Sequence, residues 1–340
     1  MTRWIVGGLI GGLMVTVAIG FASDVPVDVR DQTGAAVTIP QPIERVASVY
    51  GAGTFIVYAL GASDRLAMAW YIGVKGIGQA SEAMFRLEPR LADILSFGDP
   101  NLEEMVRRDV QLVLVDGSRH SGFADQMMEL GVPVLRFLVE TPEALMDAVR
   151  MVGAALGTDA AARAAAFLGD YDRVSHAVVE GMEARPSSER VRVLFVGTDP
   201  LTVASGDMYQ THLIEAAGGT SVAADLVGYW NEINLEQVLL WNPDVILIAP
   251  YGPVQPADIL ENPDWQAITA IHEGRVHRVP RLIAPWDTPV PESLLGIAWM
   301  ADVLHPEMCA IDLEDEVLRF YAEYYGYPLS DEELAHLLSR

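Results

Sequence analysis

Arg119 and His120 are the adjacent residues best suited to contact a negatively charged group. A guanidinium group donates two parallel hydrogen bonds to one anion, which gives such a contact both strength and orientation. The pair follows the apolar run Leu112–Val115, which is typical of a buried strand, so both residues are expected in the loop where that strand ends. Two alternatives remain open: Arg119 pairs with a nearby acid, or His120 is a metal ligand.

A second group of candidates shares aromatic character, and most of its members follow a predicted strand. In parallel α/β sheets, ligands bind outside the carboxyl ends of the strands, where loops converge. Aromatic rings there suit a flat or bulky ligand held by stacking. The further candidate ligand-binding residues are Tyr50, Trp70, Tyr71, Tyr209, Tyr229, Trp230, Tyr251 and Trp286, with Asp199 in a turn. The alternatives are packing between domains for each ring and a turn-forming role for Asp199.

Composition and motifs exclude several classes of function. The chain has 340 residues, a net charge of −25 and a single cysteine, Cys309. Such a surface repels nucleic acid, and one cysteine forms neither an internal disulfide nor a thiolate cluster. Only His272 and His277 have a zinc-like spacing, and no CxxC accompanies them. The sequence also lacks a Walker loop, a GxSxG elbow and an HExxH motif, so we expect no enzyme, no cofactor and no protein-built metal site.

A segment that occurs twice organises the rest of the chain. Residues 101–116 read NLEEMVRRDVQLVLVD and residues 234–249 read NLEQVLLWNPDVILIA, at an offset of 133 residues. Each copy predicts a helix of about two turns that leads into a buried strand rich in β-branched residues. The offset is too long for a solenoid period and indicates two domains of similar plan.

The remaining pattern predicts an α/β protein: two Rossmann-like lobes with mostly parallel sheets and a ligand cleft between the lobes. No strand pattern occurs between Pro142 and Pro186, and the alanine-rich run Asp159–Arg185 predicts a single long helix that joins the lobes. The predicted divisions are a signal peptide at 1–23, an N-terminal lobe at 24–142, a helical connector at 143–186, a C-terminal lobe at 187–308 and an acidic helical tail at 309–340.

The first 23 residues predict export. Arg3 precedes the apolar run Trp4–Ala22, and Gly20 and Ala22 place small residues at the −3 and −1 positions of a cleavage site. Cleavage there would release an acidic periplasmic protein. The alternative is an uncleaved anchor, since about 19 apolar residues nearly span a bilayer.

Several sequence blocks, in the right order, carry a family resemblance. They are the Asp31-x-x-Gly34 hairpin, Pro42-x-x-Arg45-Val46, the two Asn-Leu-Glu segments, the long connecting helix, Leu213–Gly219 and His305-Pro306-Glu307. Over residues 27–308 the chain resembles the class III (cluster A) substrate-binding proteins of ATP-binding-cassette importers. This is the family of periplasmic cobalamin, haem and ferric-siderophore binders, and it implies two α/β lobes around a ligand cleft.

The resemblance also implies a partner and two docking residues. Family members deliver their ligand to a membrane permease dimer with ATPase subunits, and an exposed glutamate on each lobe pairs with arginines of the permease. By motif position these glutamates are Glu103 and Glu236, because Glu104 has Gln237 and not an acid as its counterpart. The alternative is that both glutamates stabilise the first turn of a helix.

These observations lead to one expectation and two alternatives. We expect a periplasmic protein that captures a metal chelate (a ferric siderophore, haem or a corrinoid) and delivers it to the permease without covalent chemistry. The alternatives are a molybdate or tungstate oxyanion held by Arg119 in the same fold, and an exported α/β enzyme that uses the cleft. The acidic tail after Pro306 extends past the usual end of the cobalamin binders and resembles members that take iron complexes or molybdate and tungstate. The resemblance therefore leaves the ligand, the permease and the oligomeric state open.

Overall fold

Strands and helices alternate in both halves of the chain, as the sequence predicts. The computed structural model describes residues 25–182, 190–307 and 311–339. The strands are β1 (Val27–Arg30), β2 (Ala36–Ile39), β3 (Val46–Ser48), β4 (Leu66–Ala69), β5 (Leu112–Asp116), β6 (Val134–Phe137), β7 (Arg192–Val196), β8 (Thr202–Ala204), β9 (Thr220–Ser221), β10 (Trp230–Glu232), β11 (Val245–Ile248) and β12 (Val276–Arg278).

Fourteen α-helices accompany these strands in the described ranges. They are α1 (Gly51–Ala59), α2 (Glu82–Leu87), α3 (Leu91–Ile94), α4 (Leu102–Arg107), α5 (Ser121–Glu129), α6 (Pro142–Leu156), α7 (Thr158–Met182), α8 (Tyr209–Ala216), α9 (Leu235–Trp241), α10 (Pro256–Leu260), α11 (Thr269–His272), α12 (Ser293–Leu304), α13 (Leu313–Tyr325) and α14 (Asp331–Leu338). Within those ranges no helix is both long and apolar enough to cross a membrane. The predicted signal peptide at 1–23 lies outside the described residues.

Each lobe is built on its own sheet. The N-terminal lobe carries the antiparallel hairpin β1–β2 and a parallel sheet of order β4-β3-β5-β6. In the C-terminal lobe the order is β10-β8-β7-β11-β12, with β9 also paired to β7. There β7, β9, β11 and β12 run parallel, whereas β8 and β10 are antiparallel. The predicted two-lobed α/β fold with mostly parallel sheets is confirmed.

Apolar runs form the central strands because both faces of each sheet are covered. In β5, Leu112 and Leu114 join one core and Val113 and Val115 join another. The strand β11 does the same, with Val245 and Leu247 on one face and Ile246 and Ile248 on the other. Helices on both faces of a parallel sheet produce this continuous apolar pattern.

The two Asn-Leu-Glu segments fold alike down to single hydrogen bonds. The side chain of Asn101 accepts a hydrogen bond from the N–H of Glu104 at 3.0 Å, and Asn234 accepts one from Gln237 at 2.9 Å. Each asparagine is therefore an N-cap, which satisfies a free backbone donor in the first helical turn. The helices α4 and α9 that they begin lead into the central strands β5 and β11.

An arginine closes the other end of each repeated helix. Arg45 donates from Nε to the carbonyl oxygen of Arg108, and Arg192 donates from its guanidinium to the carbonyl oxygen of Trp241. The two acceptors are again 133 residues apart in the sequence. These bonds satisfy carbonyls that lack an intrahelical partner, so the repeat extends beyond the residues that are identical.

The helices α6 and α7 follow one another between the two sheets in the sequence and pack against each other. Gly157 ends α6 at a φ of 99°, a conformation that glycine adopts without steric cost. Helix α7 then runs for 25 residues, about 38 Å at 1.5 Å per residue, and it contacts α6 and α1 as well as α8 and α12 of the second lobe. Residues 183–185, the end of the predicted helix, lie outside the described residues.

The acidic tail forms the two helices α13 and α14. Asp312 caps α13, and Ser330 with Glu333 forms a capping box at the start of α14. The aromatic side chains of the tail are buried; they are Phe320, Tyr321, Tyr324, Tyr325 and Tyr327. Helix α13 packs against α12 and also against α1 of the first lobe, so the tail contacts both lobes.

The structure corrects several local predictions. Strands β8, β9 and β10 and helices α2, α3 and α10 were not predicted, and Trp230, expected in a loop, is the first residue of β10. A short 3₁₀ turn at Pro263–Trp265 precedes α11. Between these two elements, Ile268 has extended backbone (φ −87°, ψ 135°) and a fully buried side chain. Short elements of this kind carry too few residues for a periodic pattern.

Candidate functional site

A cleft of about 430 Å³ lies between the lobes at the carboxyl ends of the first-lobe strands. Tyr50 follows β3, Trp70 and Tyr71 follow β4, and Asp116 ends β5. From the opposite side come the start of α8, at Met208–Gln210, and the loop before β10, at Tyr229. The cleft therefore lies where parallel α/β folds place their ligands.

Seven of the eleven predicted ligand-binding residues line this cleft. They are Tyr50, Trp70, Tyr71, Arg119, His120, Tyr209 and Tyr229. The sequence reasoning missed other lining residues that carry polar or aromatic groups, namely Lys75, Phe97, Asp116, Glu140 and Gln210. One available signal was that Lys75 is the only lysine in the chain.

The other four predicted residues do not line the cleft. Asp199 accepts a hydrogen bond from the N–H of Leu201 in the turn before β8. Trp230 packs its ring between Phe195 and Tyr251. Tyr251 donates its hydroxyl hydrogen to a carboxylate behind the cleft, Asp287. Trp286 is 0% exposed and directs its indole N–H to Tyr321.

Hydrogen bonds on the side away from the cleft hold Tyr71, one of the aromatic residues of the first lobe that line the cleft. The hydroxyl groups of Tyr58 and Tyr71 lie 2.7 Å apart, and Tyr58 also donates to Glu88 at 3.2 Å. Burial, reinforced by Tyr71 and the charge of Glu88, raises the pKa of Tyr58 well above its ordinary value. Since the hydroxyl of Tyr71 has its partner on the far side, its contribution to the cleft is mainly an apolar ring.

A charged cluster at the mouth of the cleft surrounds Arg119. Asp116 accepts hydrogen bonds from the backbone N–H groups of Ser118 (2.8 Å) and Arg119 (3.1 Å), and it lies 3.5 Å from Nε of Arg119. The predicted alternative, in which Arg119 pairs with an acid, is therefore realised in part. The guanidinium is otherwise largely exposed, so it remains accessible to a ligand. Nδ1 of the neighbouring His120 is buried and has no hydrogen-bond partner among the described residues.

Glu140 of the first lobe and Tyr229 of the second both line the cleft. Burial of the carboxyl group and the charge of Asp116 raise the pKa of Glu140, whereas Arg119 and Tyr229 lower it. Burial together with the charges of Asp116 and Glu140 also raises the pKa of Tyr50. The mouth thus combines aromatic rings, two carboxylates and one guanidinium in a small space.

A buried polar network lies directly behind the cleft wall. Oδ2 of Asp287 accepts hydrogen bonds from Nε2 of Gln210 (3.2 Å) and from the hydroxyl of Tyr251 (3.1 Å). Burial raises the pKa of Asp287 to about 6. Oε1 of Gln210 is buried without a hydrogen-bond partner among the described residues, and because Gln210 lines the cleft, this amide is a further group that can contact a ligand.

The predicted docking glutamates lie outside the cleft, in the first turns of α4 and α9. Both are exposed, and neither Glu103 nor Glu236 forms an ion pair with a residue that the structure describes. Glu104, in contrast, pairs with Arg107 and Arg108. No group of three or more His, Cys, Asp or Glu residues in the described ranges is arranged to hold a metal ion.

Comparisons with known proteins agree with this architecture. A family model described as periplasmic binding protein matches residues 46–281. The molybdate-binding protein MolA of Haemophilus influenzae is 26% identical over 320 residues, which cover 87% of this chain and 90% of that protein. The vitamin B12-binding protein of Yersinia pestis is 26% identical over 215 residues, covering 62% of this chain and 72% of that protein.

Solved structures share the fold along nearly the whole chain. A periplasmic solute binding protein from Veillonella parvula superposes with a TM-score of 0.79 at 25% identity, covering 92% of this chain and 97% of that one. The shared part therefore includes both lobes and the cleft between them.

Proposed function

The chain belongs to the periplasmic binding protein family, in its class III (cluster A) division, and we propose that it captures a bulky metal chelate for an ABC importer. The ligand class would be a ferric siderophore, haem or a corrinoid, bound in the cleft between the lobes. The mixed aromatic and charged lining of that cleft carries the proposal. Binding would involve no covalent chemistry on the ligand.

Size and charge both favour a chelate over a bare anion. The cleft holds about 430 Å³ and exposes the rings of Tyr50, Trp70 and Phe97 to its interior, a lining that suits the organic periphery of a chelate. Its cations, Lys75 and Arg119, are balanced by two carboxylates, Asp116 and Glu140. A bare dianion would lie close to those carboxylates, whereas a chelate presents apolar and polar edges together.

A thermal-shift panel tests the ligand class. Haem, cobalamin, several ferric siderophores, molybdate and tungstate are added separately to the chain from Asp24 onward. A ligand at about 100 times its dissociation constant stabilises the fold by about 2.7 kcal/mol. A shift with a chelate supports the proposal, and no shift across the panel contradicts it.

The single lysine provides a second, site-specific readout. An amine-reactive reagent modifies the ε-amino group of Lys75 and the terminal α-amino group, and the other side chains of the chain carry no primary amine. A ligand in the cleft should slow modification of Lys75 while the α-amino group reacts at its usual rate. Stabilisation without this protection would place the ligand elsewhere.

The likeness to a molybdate-binding protein favours an oxyanion as the second candidate. Besides Arg119, a neighbouring cavity of about 360 Å³ includes Arg278, Arg281 and His336, and no described residue in its lining is a carboxylate. Arg281 also donates to the carbonyl oxygen of Ile72, a residue of the cleft wall. A thermal shift with molybdate and tungstate alone, lost in Arg119→Gln or Arg281→Gln, would support this candidate. Product formation from a trial substrate would instead revive an enzymatic role.

For delivery, we infer that the protein docks on the importer's permease through Glu103 and Glu236. The two carboxylates lie on separate lobes and form no ion pair with a described residue. Together they can bind two cationic groups of the permease, which fixes the orientation of the docked protein. The double variant Glu103→Gln/Glu236→Gln should therefore abolish transport and leave ligand affinity unchanged. The matched control is Glu104→Gln, which removes the neighbouring carboxylate that is already paired. Normal transport by the double variant would refute the docking assignment.

A further inference from the structure

The repeat places an exposed aliphatic side chain beside each docking glutamate. Val106 is 53% exposed and follows Glu103 by three residues; Leu239 is 38% exposed and follows Glu236 by three residues. Val106 and Leu239 are themselves separated by the 133-residue offset of the repeat. Residues three apart on a helix are neighbours on one face, so both lobes present a carboxylate and an aliphatic group together.

The buried side of each helix is already occupied by another residue. Met105 in α4 and Val238 in α9 are fully buried and stand at equivalent positions of the repeat. The exposed aliphatic residues are therefore additional to the core contacts of the two helices. A single exposed aliphatic residue is common on protein surfaces, but here the same combination recurs at equivalent positions of two lobes.

We propose that each lobe docks through a paired contact, in which the glutamate binds a cation and the adjacent aliphatic group enters an apolar hollow. The occupant is the importer's permease dimer, with two half-sites that each carry a cation beside apolar side chains. This inference rests on the proposed function and adds the apolar half of the interface. The exposed carboxylates, which form no ion pair with a described residue, complement a cationic partner, and an aliphatic contact that excludes water around an ion pair strengthens that pair.

The two lobes differ in how many exposed aliphatic side chains they present for docking. In the first lobe, Arg107 follows Val106 and forms an ion pair with Glu104. The equivalent residue of the second lobe is Leu240, which is 78% exposed, and the equivalent of Glu104 is Gln237. The second lobe thus presents two adjacent aliphatic side chains where the first presents one and an ion pair. Apolar burial should therefore contribute more to docking at the second lobe.

The test measures binding to the importer, reconstituted in lipid nanodiscs, together with affinity for the chelate identified by the thermal-shift panel. The variant Leu239→Ser/Leu240→Ser should bind the importer about tenfold more weakly or worse, and Val106→Ser should have a smaller effect, since each loses apolar contact area. Both should bind the chelate normally. Leu130→Ser is the matched control, because Leu130 is an equally exposed aliphatic residue (53%) outside the two repeated segments.

Salt dependence separates this inference from the docking proposal on which it rests. The leucine variant should retain the salt dependence of importer binding, whereas Glu103→Gln/Glu236→Gln should lose it. If the glutamate variant binds weakly and the leucine and valine variants bind normally, the apolar half is refuted and the docking role of the glutamates stands. If all variants bind normally, both are refuted. If the leucine variant changes only self-association in sedimentation, the patch contacts a second copy of this chain and the inference is overturned.

Discussion

Asp287 is fully buried behind the cleft wall, where its charged form is disfavoured. Burial raises its pKa to about 6 from an ordinary value of 3.8, although Gln210, Tyr251 and the charge of Arg281 oppose the shift. Well below pH 3.8 the group is protonated in both the folded and the unfolded chain. As the pH rises from 3.8 to 6, the unfolded chain releases its proton first, so this group increasingly favours unfolding.

The variant Asp287→Asn should remove this pH-dependent loss of stability. A shift of this size corresponds to roughly 2–3 kcal/mol, so the variant should gain that much relative to the wild type between pH 4 and pH 8. Urea unfolding at both pH values measures the difference. Glu292, whose pKa burial raises to about 7, acts in the same direction but is unchanged in the variant. A difference between variant and wild type that stays constant with pH would contradict the shifted pKa.

Lys75 is the cation of the cleft that forms no ion pair within the described part of the chain. For a ligand with an anionic edge, Lys75→Gln should weaken binding by about tenfold, because a charge-assisted hydrogen bond is lost. Lys75→Arg should keep most of the affinity, since it keeps the charge. Isothermal titration with the ligand found in the thermal-shift panel measures both. Equal losses in the two variants would indicate a steric role for the side chain instead.

Residue type predicted some of the residues that line the cleft and failed at others for a physical reason. Tyr50, Trp70 and Tyr229 line the cleft because each lies in a loop next to a strand end that faces the other lobe. Trp286 carries the same aromatic signal, yet it is fully buried against Tyr321 of the tail. The sequence shows that a loop contains a tryptophan, but the direction of that side chain depends on packing with residues far along the chain.

At the scale of elements, the asparagine caps of the repeat make a measurable contribution. Removing an N-cap side chain costs about 1 kcal/mol, so Asn101→Ala and Asn234→Ala should each lower the free energy of unfolding by that amount. Because the two caps belong to different lobes, their effects should add in the double variant. Asn101→Asp and Asn234→Asp, which keep an acceptor, should be nearly neutral. Strong non-additivity in urea unfolding would show that the two segments are energetically coupled.

Long or repeated elements were predictable, and short edge elements were not. The 25-residue helix α7 and the buried strands β5 and β11 have clear sequence patterns and appear as expected. The strands β8 and β10 have three residues each and pair antiparallel at one edge of the second sheet. Their backbone pairing depends on partners elsewhere in the chain and not on a local periodicity.

At the scale of the whole molecule, one continuous core joins the lobes and the tail. The largest apolar cluster includes residues of α1 and α6 in the first lobe, α12 in the second lobe and α13 in the tail. Polar contacts reinforce it, since Arg319 of α13 pairs with Asp170 of α7 and Tyr325 donates to Glu292 at the start of α12. A two-lobed protein joined in this way should close over its ligand only slightly.

The tail also forms side-chain contacts with helix α2 of the first lobe. Arg86 of α2 pairs with Glu333 of α14 and donates to the hydroxyl of Tyr327, and its guanidinium lies 5.0 Å from the centre of that ring. We therefore expect Arg86→Ala to loosen α2 while leaving the second lobe unchanged. Global stability should fall by less than about 1 kcal/mol, because the ion pair is partly exposed.

Hydrogen exchange resolves this local effect. In Arg86→Ala, amide exchange should rise in residues 82–87 and in the tail around Tyr327, and it should stay at wild-type rates in β7 and β11. Arg150→Ala is the matched control, since Arg150 pairs only with Asp147 on its own helix among the described residues. Because Tyr58 and Tyr71 connect the cleft wall to Glu88 just beyond α2, ligand affinity should weaken slightly in Arg86→Ala and stay unchanged in the control. Unchanged exchange at 82–87 would mean that the tail packs on the first lobe without constraining it.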